Sequence, residues 1–190
     1  MSEMKFNPEV FNEEFFTHPE HNRSVIRHER KYPEMLKGFE NKSVQIMGCG
    51  RGWGVKILKE HGFKCIGFDV SRWAVENRVD DDVYLHNLLD PIPHRADISI
   101  CINVLAYLPL EKIEQALKNI KEATNELVIL RVSAKDEQEN ADKALGKPLA
   151  SQYRLIKKPY EWWLELFRKY FKEIKSDYGG ITRLFWGRVM

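Results

Sequence analysis

Long apolar runs are missing from this chain. The most apolar stretch, Ile98 to Leu110, is interrupted by Ser99, Asn103 and Pro109, and it falls short of the roughly 20 residues that a membrane-spanning helix needs. The segment Met1-Ser2-Glu3-Met4-Lys5 has no apolar signal core, so neither a membrane partner nor export is expected. Cysteine is scarce. Cys49, Cys65 and Cys101 are odd in number and unevenly spaced, which argues against a disulfide framework. No CxxC pair and no HExxH spacing occur, so no metal site is expected. This thiol usage fits a reducing, cytoplasmic compartment. A charge excess is lacking too. Thirty Lys and Arg against 28 Asp and Glu leave +2, and basic residues cluster only locally, as at Lys157-Lys158, so a nucleic-acid partner is not supported. Repeats and Pro/Ser-rich linkers are absent, and 190 residues read as one domain.

What is present is an alternation. From about residue 43, strand-like and helix-like patterns follow one another. Val44 to Met47 is a short apolar run ending in glycines, and Trp53, Ile57 and Leu58 then recur at helical spacing. Phe63 to Phe68 is strand-like, Arg72 to Arg78 suits a short helix, and Asp82 to Leu85 suits a third strand. In a fourth, Asp97 to Ile102, three isoleucines alternate. Ile113, Ala116, Leu117 and Ile120 share one helix face with charges opposite. Glu126 to Val132 gives a fifth strand, nearly all apolar. Strands of that kind belong to a sheet covered on both faces, and their alternation with helices predicts a parallel, doubly wound α/β sheet. Residues 134–150 are polar and read as a lid or insertion. Pro159 suits a helix start, with Trp163, Phe167 and Tyr170 as its apolar stripe. Phe171 to Asp177 and Ile181 to Val189 read as an antiparallel hairpin turning at Gly179-Gly180. Residues 1–42, rich in Phe, His, Glu and Arg, read as a helical cover over one end of the sheet.

The densest signal is Gly48-Cys49-Gly50-Arg51-Gly52-Trp53-Gly54, between a strand and a helix start. Glycines permit a sharp turn and a close approach of backbone to a ligand, and ligands of open parallel sheets bind beyond the carboxyl ends of the strands. Asp69 ends the second strand, 21 residues beyond Gly48, where an acid can accept from two ribose hydroxyls. The glycine pattern is not that of a dinucleotide loop. Counted from Gly48, the sixth position is Trp53; counted from Gly50, it is Val55. No Lys-Ser/Thr pair of a P-loop follows. A ligand without phosphates suits the loop better.

On these residues the stretch Val44 to Val132 resembles the class I S-adenosylmethionine-dependent methyltransferases, and the likeness extends over most of residues 43–190. The resemblance implies a Rossmann-like, mostly parallel seven-stranded sheet with a reversed last strand. It divides the chain into a cover (1–42), a donor-binding half (43–133), and a lid, helix and hairpin (134–190). It also implies S-adenosylmethionine as methyl donor and S-adenosylhomocysteine as product. Gly48, Cys49, Gly50 and Gly52 match the first motif; Asp69 and Val70 match the second, as ribose acceptor and adenine contact. Asn87 and Leu88 fall at the adenine position, and Asn103 ends the fourth-strand motif beside the methyl group. Tyr107 and His94 are candidates for the acceptor side, and Arg23, Arg27, His28 and Tyr32 for contacts from the cover. Trp53, Trp162, Trp163 and Phe167 read as packing. No N/D-P-P-Y/F tetrapeptide follows the fourth strand, so amino methylation of DNA bases is not supported.

Two positions depart from the family pattern. Ile46 stands where an acid normally precedes the loop by two residues, and Asn87 replaces a carboxylate. The expectation is a methyltransferase with a small-molecule acceptor. A weak or inactive donor-binding protein is the first alternative, and an NAD-type oxidoreductase the second.

Overall fold

The computed structural model describes residues 6–19, 28–135, 139, 142, 143, 146, 149–178 and 183–189. Its strands are β1 (Ser43–Met47), β2 (Lys64–Asp69), β3 (Val83–Leu85), β4 (Ala96–Ile102), β5 (Thr124–Val132), β6 (Lys172–Tyr178) and β7 (Arg183–Arg188). They form one sheet in the order β3-β2-β1-β4-β5-β7-β6. The first five are joined in parallel, and β7 runs antiparallel to both β5 and β6. The helices are α1 (Glu13–Thr17), α2 (Tyr32–Met35), α3 (Trp53–Glu60), α4 (Arg72–Glu76), α5 (Ile113–Glu122), α6 (Leu149–Gln152) and α7 (Tyr160–Tyr170). This is the doubly wound, mostly parallel sheet with a reversed last strand that the alternation and the motifs imply. The Gly179-Gly180 reversal, Arg23, Arg27 and much of the 134–150 stretch lie outside the described residues.

Strand alternation sorts the core into two layers. Val44 and Ile46 of β1, with Ile98 and Ile100 of β4, face Leu36, Val55 and Leu58 on the α3 side. Met47, Cys101, Val128 and Leu130 face the other way, against Ile113, Leu117 and Ile120 of α5 and Trp163 and Phe167 of α7. Trp163, Phe167 and Phe185 are fully buried, each contributing roughly 1.5–3 kcal/mol through apolar area removed from water. The packing role read for Trp163 and Phe167 is what the fold uses.

One line of polar side chains crosses this interior. Gln45 Nε2 donates to Ser99 Oγ at 2.9 Å and to the Ala123 carbonyl at 2.6 Å. Ser99 Oγ and Thr124 Oγ1 share a hydrogen bond of 2.6 Å, and Thr124 Oγ1 donates to the Ile120 carbonyl at 2.6 Å. Buried polar groups are tolerated where they are partnered. The chain from β1 through β4 and β5 to the end of α5 therefore fixes strand register as well as composition, because a slip of one residue would strand every member. Thr124 also starts β5 two residues earlier than the apolar run alone suggests.

Candidate functional site

The β1–α3 turn stands at the carboxyl edge of the parallel strands. Gly48, Gly50 and Gly52 have φ values of +68°, +56° and +87°, a region that costs side-chain-bearing residues energy. The loop is pinned from below. Gly48 and Cys49 N–H groups donate to the Phe68 carbonyl at 2.7 and 3.1 Å, and Gly52 N–H donates to the Cys49 carbonyl at 3.0 Å. Gly50 N–H donates to Asp69 Oδ2 at 2.7 Å. These four amides are engaged within the protein. A loop that cradles a pyrophosphate presents its amides outward, so this geometry disfavours a dinucleotide on physical grounds independent of glycine spacing.

Asp69 closes β2 and is buried. Its Oδ1 accepts from Ser71 N–H at 2.8 Å while Oδ2 holds Gly50. Burial pushes its carboxyl above the ordinary value, and the Ser71, Gly50 and Val70 amides pull it back. The side chain sets the loop beside β2, and each oxygen keeps acceptor capacity for a ligand hydroxyl. Val70, half-buried, follows directly.

Asn103 ends β4 in the left-handed region, with φ +59°. Its N–H donates to the Arg131 carbonyl at 2.9 Å, and its Oδ1 is buried with no partner among the described residues. A strained residue with an orphaned acceptor beside a glycine loop is the pattern of a binding position. Val104 lies against Gly48, its Cγ2 2.1 Å from where a Cβ would stand, so the β4 end and the loop are one packed unit. Asn87 is half-buried beyond β3, and its Oδ1 accepts from Leu89 N–H at 3.0 Å. Leu88 is buried in the α5-side core. His94 is not brought to this edge. It precedes β4, at the amino edge of the parallel strands, and is exposed. Trp53 opens α3 half-exposed, with Lys56 Nζ 5.7 Å from its ring centroid.

Tyr107 lies just past β4, buried in a satellite cluster with Phe15, Phe16 and Ala74. Phe11 meets its ring edge-on at 5.3 Å, and Arg154 lies over it at 5.8 Å. Burial raises its phenol above the ordinary value, against the opposing charge and hydrogen bond of Arg154, so it stays neutral near pH 7. Cys49 is likewise held protonated, chiefly by burial and then by Asp69, and is no nucleophile. The N-terminal segment reaches the loop itself. Asn12 caps α1 by accepting from Phe15 N–H at 3.3 Å. Phe16 of α1 then stacks on Trp73 at 5.9 Å, with its Cε1 3.1 Å from the Cβ position of Gly50. Ser71 Oγ donates to the Phe11 carbonyl.

Sequence reasoning missed Glu29. It lies just before α2, is 6% exposed, and stands near enough to the Gly54 N–H in the first turn of α3 for that amide to favour its charged form. Its Oε2 has no partner among the described residues. Burial lifts its carboxyl from 4.5 to about 8, with the Gly54 amide opposing. The only local sequence clue was an acid in the cover facing a loop that lacks one at Ile46.

A carboxyl at 4.5 in the unfolded chain and about 8 in the folded one stabilises the fold fully below pH 4.5, and that contribution is lost as pH rises through 8. Asp69, also raised, acts in the same direction. The ligand-free protein should therefore lose stability across this window at roughly 1 kcal/mol per pH unit. Urea unfolding at pH 5, 6, 7 and 8 measures the slope, and Glu29→Gln should remove most of it.

With this geometry in place, comparison with known proteins gives the class. The sequence profile described as a methyltransferase domain matches residues 20–173. The chain belongs to that family, and its fold is that of the class I S-adenosylmethionine-dependent methyltransferases. No curated protein matches the sequence. Among solved structures, it is similar to a SAM-dependent methyltransferase from Thermotoga maritima, with TM-score 0.72, 17% identity, and coverage of 95% of this chain and 99% of that one. It is also similar to magnesium protoporphyrin IX methyltransferase from Synechocystis PCC 6803 with bound SAH, with TM-score 0.66, 15% identity, and coverage of 90% and 84%. Human N-acetylserotonin methyltransferase in complex with SAM gives TM-score 0.60 and 16% identity, covering 93% of this chain and 59% of that one.

Proposed function

We propose that this chain binds S-adenosylmethionine along the Gly48–Gly52 loop and transfers its methyl group to a small-molecule acceptor. The observation that carries this reading is the Asp69 carboxylate, which holds Gly50 N–H at 2.7 Å and ties the loop to the end of β2. That places an acid, a glycine turn and the orphaned Oδ1 of Asn103 at one sheet edge, a set that fits a ligand with ribose hydroxyls and no phosphate. Relatives of the same fold were solved with SAM or SAH bound, which supports the same donor. Three buried, free thiols support a reducing compartment such as the cytoplasm.

Bound S-adenosylmethionine would supply a methyl group on a sulfonium, already activated for displacement. The chain's task is then alignment and exclusion of water. Tyr107, Phe11 and Phe15 form an aromatic wall beside the end of β4. Such a wall suits a small, flat acceptor. Tyr107 is neutral and packed, so it orients rather than abstracts a proton.

Titration calorimetry with S-adenosylmethionine and with NADH separates this reading from an oxidoreductase: the first ligand should bind and the second should not. Methyl transfer to a panel of amines, phenols and thiols then tests the enzyme. A second reading, an inactive donor binder, is favoured by Asn87, whose Oδ1 is engaged by Leu89 N–H instead of standing open. Binding without turnover on any acceptor would favour it. Asp69→Asn should weaken S-adenosylhomocysteine binding about tenfold, the scale of one charge-assisted hydrogen bond. Unchanged affinity in a folded variant would remove Asp69 from the site.

A further inference from the structure

Ile46 leaves β1 without the acid that the family pattern carries, and a buried acid from the N-terminal segment, Glu29, lies near the helix start that follows the glycine loop. The Cδ1 of Ile46 lies 3.1 Å from the Cβ position of Gly54, and Tyr32 Cε2 lies 2.7 Å from it. Glu29 stands near enough to the N–H of that same glycine to be influenced by it. Ile46 and the Glu29 carboxyl therefore flank one point, the first turn of α3 directly after the glycine loop. Any side chain at 54 would collide with this arrangement, which gives Gly54 a reason that its own φ does not supply.

Resting on the donor reading above, we propose that Glu29 supplies from the N-terminal segment the carboxylate that β1 lacks, and that its free Oε2 accepts from the ammonium of the donor's amino-acid end. Three observations converge on this. Glu29 is only 6% exposed, a state in which an unpartnered carboxyl oxygen is costly. Its Oε2 is buried without a partner among the described residues, and the Gly54 N–H is the backbone amide that acts on the carboxyl. Its charge would act on Cys49, the second residue of the loop, and on Tyr32 of α2, and Tyr32 itself lies against Gly54 at the start of α3. Among the described residues, the ionisable groups that Glu29 acts on are Tyr32 and Cys49, both held neutral by burial, while Arg131 acts on Tyr32 and Asp69 on Cys49. No cation in this set neutralises Glu29 directly. A primary ammonium is the ligand chemistry that would.

The test compares ligands that differ only at the amine. Wild-type protein should bind S-adenosylhomocysteine at least tenfold tighter than its deaminated analogue, in which a methylene replaces the amine-bearing carbon; equal affinities would overturn the proposal. Glu29→Gln keeps an acceptor for Gly54 N–H but loses the charge. It should weaken S-adenosylhomocysteine at least tenfold and leave 5′-methylthioadenosine, which has no amino-acid end, unchanged. Equal losses for both ligands would mean that Glu29 only shapes the loop, and would overturn the proposal. Failure of the wild-type protein to bind either nucleoside would instead defeat the donor reading, and this proposal with it.

Discussion

Gly50→Val is expected to abolish S-adenosylhomocysteine binding, with at least a hundredfold loss of affinity, while the sheet still folds. Gly50 sits at φ +56°, where a β-branched residue is strained by about 1–3 kcal/mol. A Cβ there would also press on Phe16 Cε1 at 3.1 Å. Phe16 belongs to a short N-terminal helix and can give way; the Gly50 N–H bond to Asp69 at 2.7 Å cannot be kept if φ relaxes to a comfortable value. The choice is strain or a loop cut free from Asp69, and either removes the donor surface. The fault is local, so far-UV circular dichroism should match wild type and the melting temperature should fall only modestly. Wild-type affinity in the variant would show that the loop is a structural turn alone.

Ile46→Asp is expected to destabilise the protein by roughly 3–5 kcal/mol, from truncating a buried isoleucine and burying a carboxyl in its place. Ile46 is 2% exposed and packs with Tyr32, Leu36, Val55 and Leu58. Restoring the family's acid at this position would therefore not restore the family's contact, because the space beside Gly54 is already shared by Ile46 and Glu29. Two carboxyls would compete for one amide. The loss should be smaller when Glu29→Gln is made in the same chain, since an amide can donate to the new acid. Urea unfolding of the single and double variants measures the coupling. An unchanged melting temperature with tighter donor binding in Ile46→Asp would mean that β1 has room for an acid and that Glu29 is no replacement for it.

The parts of the site legible in the sequence are those built from neighbours in the chain. The glycine turn and Asp69 carry their meaning in spacing, because a strand–turn–helix unit places them without help from elsewhere. Strands β1, β2, β4 and β5 follow from apolar runs and their order, and β6 and β7 from the hairpin signal at Gly179-Gly180. Ser99 and Thr124 were harder to place, since a polar residue within an apolar strand reads as an interruption; only the line from Gln45 to the end of α5 shows why they are buried. His94 lay close in sequence to the fourth-strand motif but on the wrong side of it, and one strand length separates the two edges of the sheet. Glu29, Phe15 and Phe16 were illegible as site residues for the opposite reason. Their partners, Gly54, Tyr107 and Gly50, lie far along the chain, and no local pattern encodes a pairing at that separation. The departure at Ile46 was the one usable hint, a missing charge that some other residue had to supply.

The aromatic cover has a consequence for the order of events during synthesis. Phe11 to Phe16 leave the ribosome before any of the surfaces they rest on: Gly50, Ser71, Trp73 and Tyr107 all come later. Contacts across such separations form late, after the loop-closure entropy has been met by the sheet. Phe11, Phe15 and Phe16 are thus made before their partners and dock late, and until β4 is complete their rings have no surface to cover them. A chaperone that holds short aromatic segments would find its target there, and its release would coincide with docking of α1 beside Gly50 and Trp73.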